Sequence, residues 1–160
     1  MKTINMARYE LVKHDTSKSL RSPRLKITLL DTDGSVIAEG YLIIYREYCF
    51  QVVDKNNDGD LGSTPVMNLN NLSRLPDKYQ ASIFINMMAE KAIYEFVKGI
   101  LIDADIQASS INFYDMNNYN TLSKFTEECM FYLFGDFNRF KDIKMSNNYL
   151  YQDEYVRYSK

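Results

Sequence analysis

The stretch RLKITLLDTDGSVIAEGYLIIYREYCFQVV, residues 24–53, constrains the fold more than any other part of the chain. Leu25, Ile27 and Leu29 alternate with Lys26 and Thr28, the period of a strand with one buried face. Asp33-Gly34 then supplies a hairpin turn. From Val36 to Val53 the chain returns rich in Ile, Tyr and Val, which reads as one long strand. A sheet therefore opens the fold, and the rest of the chain must supply the layer that covers it.

That layer is legible downstream. In residues 77–98, Ala81, Ile85, Met88, Ala92 and Phe96 recur at helical spacing, with Ile93 and Val97 widening the stripe. Pro76 and Asp77 mark the start, and Gly99 either ends the helix or sits inside a slightly longer one. A second helix is predicted over 119–134, with Leu122, Phe125, Cys129 and Phe131 directed to the core and Gly135 following. Shorter strands are predicted at 7–14, 65–73 and 109–115, and the tyrosine-rich tail 147–160 reads as a closing strand. The expected architecture is a single α+β domain spanning 1–160, with a mixed, mostly antiparallel sheet and helices packed on it.

Composition narrows the function classes. The chain has 160 residues, a formal net charge of −2, 46% apolar and 25% charged residues. That charge argues against nonspecific nucleic-acid binding, and no apolar run is long enough to span a membrane. The N-terminal stretch lacks the apolar centre of a secretion signal. With only two cysteines, Cys49 and Cys129, at no metal-type spacing, the reading is reduced thiols in a cytoplasmic protein. A single histidine, His14, speaks against zinc chemistry and a Ser-His-Asp triad. Thirteen Tyr and no Trp, with many Asn, suggest an AT-rich genome such as that of a phage or a low-GC bacterium.

One segment imitates a metal site. In VVDKNNDGDLGSTP, Asp54, Asn56, Asp58, Gly59 and Asp60 occupy positions 1, 3, 5, 6 and 7 of a calcium loop. Position 12 is Pro65 instead of a bidentate Glu, and a strand precedes the loop where a helix should. The segment is read as a polar turn joining the third and fourth strands, and no metal is expected.

The order of elements and two local signatures resemble the GNAT family of N-acetyltransferases, over roughly residues 7–158. The resemblance implies that acetyl-CoA is bound, with its pyrophosphate over the start of the first helix, where free N–H groups and the helix dipole face the anion. The matching stretch is LSRLPDKYQASIF, with Lys78, Gln80, Ala81, Ser82 and Ile83 as cofactor-binding positions. The family's R/Q-x-x-G-x-G/A segment is degenerate here, since Ala81, Ile83 or Ile85 stands where glycine belongs. A second signature, DMNNYNTLSKFTEECMF, places Asn118 in the family's Asn position and Phe125 in its Tyr position. Phe125 cannot serve as general acid, which leaves Tyr119 or Tyr132. The cofactor would lie between the strand near 69–72 and residues 110–114, with Glu39, Glu47 and Asp115 as candidate bases, each equally readable as a strand charge.

Two functions follow: an acetyl-CoA-dependent N-acyltransferase of unknown acceptor, or an inactive GNAT-like protein that binds a protein partner. The tail residues Tyr149, Tyr151, Tyr155 and Arg157 and the basic segment 13–26 are the expected contact surfaces for a partner.

Overall fold

The computed structural model describes residues 1–12, 22–45, 49–54, 66–69, 75, 77–113 and 115–135. Its strands are β1 (Lys2–Leu11), β2 (Arg24–Asp31), β3 (Val36–Tyr45), β4 (Cys49–Asp54), β5 (Met67–Asn68) and β6 (Ile106–Asn112). Its helices are α1 (Lys78–Ile100), between β5 and β6, and α2 (Met116–Phe134), after β6. The strands form one sheet in the order β5-β4-β3-β2-β1-β6. All neighbours are antiparallel except β1 and β6, which are parallel. The fold is thus α+β with a mixed, mostly antiparallel sheet. No helix among the described residues is long and apolar enough to cross a membrane.

The β2–β3 hairpin closes where Asp33-Gly34 predicts it. Gly34 takes a φ of +86°, a region that glycine enters without steric cost. Its N–H donates to the Asp31 carbonyl at 2.9 Å. The Asp33 carboxylate accepts from the Ser35 N–H at 2.9 Å and the Ser35 hydroxyl at 2.6 Å, and these bonds hold its pKa below the usual carboxylate value.

The long strand expected from Val36 to Val53 is instead two. Tyr45 pairs with Cys49 and Gly40 with Asp54, so the run is divided into two antiparallel neighbours. No Gly, Pro, Asn or Asp lies between them in the sequence, and the strand-forming composition continues from one to the other. The Asp- and Asn-rich segment therefore joins the fourth strand to the fifth; residues 55–65 lie outside the described part, as do 13–21 and the tail from 136.

Two further boundaries move. The first strand begins at Lys2 and not at residue 7, and its register shifts between Ile4 and Met6 against both neighbours. The buried positions change phase there, from Ile4 to Ala7 and Tyr9, so the opening residues show no clean alternation. Of the 65–73 strand only 66–69 are described, and Met67–Asn68 of them are strand; the 109–115 strand shifts three positions towards the N-terminus, and α2 begins three residues before 119.

Both helices cover the same face of the sheet. Leu25, Ile27, Leu29, Leu42, Ile44, Phe50 and Val52 point into the core from the strands. Ala81, Phe84, Ile85, Ala89, Ala92, Ile93, Phe96 and Val97 meet them from α1, while Met88 is only half-buried. From α2 come Leu122, Phe125, Cys129 and Met130, and the ring of Phe125 lies 6.1 Å from that of Phe50. Phe131, expected in the core, is 58% exposed on the far side of α2. Gly99 sits inside α1, whose 23 residues span about 34 Å at the α-helical rise. Five strand-to-strand steps amount to about 24 Å, so α1 is long enough to carry the chain from the β5 edge to the β6 edge.

Candidate binding site

The first turn of α1, where the sequence places a phosphate, is closed by the chain's own carboxylate. Asp77 is the N-cap, 2% exposed, and its Oδ1 accepts the Gln80 N–H at 3.0 Å. Its carbonyl accepts the Ala81 N–H at 3.1 Å. The Ala81 side chain is buried in the core and Ile83 is half-buried. Lys78, Gln80 and Ser82 are half-buried as well, and the Ser82 hydroxyl donates to the Tyr79 carbonyl at 3.1 Å. A capping carboxylate complements the helix dipole and repels a second anion at the same donors.

Asn118 is 2% exposed and its amide bridges two backbone groups of β1. Its Nδ2 donates to the Ala7 carbonyl at 2.8 Å, and its Oδ1 accepts the Tyr9 N–H at 3.0 Å. The reason is topological: β6 pairs with β1 only as far as Met6, and the side-chain amide then serves the β1 edge as a neighbouring strand would. Asn118 therefore arrives at its place as a structural bridge. It does not share a site with residues 78–83, because Asn118 lines a pocket against Glu90 and Tyr94, and Glu90 lies about 15 Å along α1 from Gln80.

The two strands expected to flank the cofactor are not neighbours in the sheet. Leu69 follows β5 and residues 110–112 belong to β6, and these strands close opposite edges of the sheet. Of the candidate bases, Asp115 caps α2, accepting the Asn118 N–H at 2.8 Å, and Glu39 pairs with Lys26 at 3.4 Å. Glu47 lies outside the described residues, as do the tail tyrosines and most of the basic segment 13–26.

A different concavity lies where β1, α1, α2 and the segment after β6 converge. Asn86 of α1 donates to Thr126 of α2 at 3.2 Å; four and eight residues further along α1, Glu90 and Tyr94 line a pocket with Asn118 and Tyr119, which precede Thr126 on α2, so the two helices run antiparallel. Between them opens a pocket of about 50 Å³ with Ile93 and Leu122 in its wall and the rings of Tyr9, Tyr94, Phe113 and Tyr119 around it. Among the described residues Glu90 is its one carboxylate. Sequence reasoning named Tyr119 only as a substitute acid and passed over Glu90 and Tyr94. Their signal was the i, i+4 spacing that places them together beside the apolar stripe of α1.

Among the described residues no group of three or more His, Cys, Asp or Glu side chains could hold a metal ion. Comparison of the chain with family models, with curated proteins and with solved structures found no match.

Proposed function

We propose that this chain is a cytoplasmic protein-binding module, GNAT-like in its order of elements, without acyl-transfer chemistry of its own. The observation that carries this reading is the buried Asp77 carboxylate at the first turn of α1, hydrogen-bonded to the Gln80 N–H. A pyrophosphate would have to displace that bond and lie beside that charge. Two further observations favour it. The amide of Asn118 is taken up by β1. The aromatic pocket, at about 50 Å³, is far below the several hundred Å³ that a cofactor-sized ligand needs.

The competing reading is acyl transfer from acetyl-CoA, with Lys78, Gln80 and Ser82 on the phosphates. Titration calorimetry with acetyl-CoA and with free CoA separates the two. The binding-module reading expects no heat of binding up to millimolar ligand. Micromolar binding that is weakened by Gln80→Glu or Ser82→Glu would overturn it and call for a screen of acceptor amines.

A further inference from the structure

The two ends of the sheet are built differently. Among the described residues β5 closes one end with two residues and β6 closes the other with seven, and no strand lies beyond either. A very short edge offers little to pair with, and longer edges are commonly guarded by Lys, Pro or other charged side chains. The sequence of β6, IQASSIN, contains none of these. We propose that the outer edge of β6 pairs antiparallel with β6 of a second copy of this chain, joining two sheets across a two-fold axis.

The strand is uncovered on both faces. Gln107, Ala108, Ser109 and Ser110 are exposed one after another, without the alternation that burial of one face imposes. Its pairing with β1 is confined to Ile106, Gln107, Ala108 and Asn112. Holding Ser109 and Ser110 extended costs backbone entropy that neither burial nor pairing with β1 offsets. A second strand on the outer side supplies hydrogen bonds to do so.

The ladder sets which groups point outward. The Lys2 N–H donates to the Asp105 carbonyl at 2.9 Å, and Lys2 stands opposite Ile106. By the alternation of a parallel pair, Gln107 then faces β1, and Ala108 turns its N–H and carbonyl to the outer edge. With Ser109 on the axis, Ala108 of each copy lies opposite Ser110 of the other, and the central side chains are all small.

Charge selects a second copy as the occupant. A two-fold axis sets each side chain near it against its own duplicate, so a charged residue there repels itself. Seven consecutive uncharged residues meet that condition, in a chain that is 25% charged. The flanks add apolar surface. Ile102, 85% exposed, precedes β6 by four residues, and Met116, 73% exposed, follows it by four. Met6, 49% exposed, stands opposite Asn112 on β1.

Sedimentation velocity on the full chain tests the pairing. A dimer is expected with a dissociation constant on the order of 100 µM, the weak range of small interfaces. Ser109→Lys and Ser109→Glu, at an exposed position, should each weaken it about fivefold, and an equimolar mixture of the two should restore association. A second measurement needs no variant: hydrogen exchange at the Ala108 and Ser110 amides should slow as the wild-type concentration rises from about 10 µM to about 1 mM. A chain that stays monomeric at millimolar concentration overturns the proposal. So does a dimer that both variants leave unchanged, which would place the interface elsewhere. Protection of β6 at every concentration would assign its edge to the chain's own residues, and that too overturns it. The contact lies apart from the first turn of α1, so the acetyl-CoA titration succeeds or fails separately.

Discussion

Asn118 shows how much a single side chain can carry. It closes the gap left where β6 departs from β1, and removing it takes from the Ala7 carbonyl and the Tyr9 N–H the amide that pairs with them. Each orphaned group costs about 1–3 kcal/mol, so Asn118→Leu should destabilise the protein by about 2–5 kcal/mol in urea denaturation. A change within measurement error would mean that β1 finds another partner there. Cys129 makes a second prediction at this scale. It is fully buried, and burial, with a smaller contribution from Glu128, raises its thiol pKa well above the ordinary 9.0. The raised folded pKa means its contribution is complete below pH 9 and is lost as pH rises further, because the unfolded thiol ionises while the folded one stays protonated. Stability should therefore fall above pH 9 by up to about 1.4 kcal/mol per pH unit from this group. Urea midpoints at pH 8 and pH 10, for the wild type and Cys129→Ala, measure it: the variant should have the shallower slope, and parallel slopes would contradict the assignment.

Among the elements, α1 and the β2–β3 hairpin were legible and the division of β3 from β4 was not. In α1 the cap at Asp77, the apolar stripe and a length near two dozen residues all agree, so local and tertiary preferences reinforce each other. No Gly, Pro, Asn or Asp separates β3 from β4 in the sequence, and only their pairing reveals two strands. The strand predicted over 65–73 contains β5, whereas the start of β1 was missed because a register shift interrupts its alternation. The candidate site was less legible than the fold. Asp77 was readable as the start of α1, but the family resemblance set a phosphate at the same turn without weighing that this carboxylate takes up one of its donors.

The packing of α1 on the sheet depends on the absence of a side chain at Gly40. A Cβ there would meet Phe96 Cζ at 2.9 Å and Val52 Cγ1 at 3.0 Å, and Phe96 is 2% exposed with little room to give. Gly40→Ala should therefore destabilise by about 1–3 kcal/mol through overpacking. Combined with Phe96→Leu, the loss should be smaller than the sum of the two single changes. Additive losses in thermal or urea unfolding would show that α1 and β3 are not packed through this pair.

For the whole molecule, the topology decides where chemistry can take place. The chain runs a five-strand meander, crosses the entire sheet with α1 and adds β6 beside β1, so the strands expected to flank a cofactor are held at opposite edges. Convergence happens instead at the junction of β1, α1 and α2, which gathers the tyrosines around Glu90. Asp77 caps α1 through the Gln80 N–H, and its carboxylate disfavours a second anion at the same turn. Titrating ¹⁵N-labelled protein with inorganic pyrophosphate, and following the amides of Lys78, Tyr79 and Gln80 by NMR, tests it most directly. The account predicts that these amides do not move in a saturable way. Saturable shifts centred on them would contradict it and return the helix N-terminus to the role of a phosphate site.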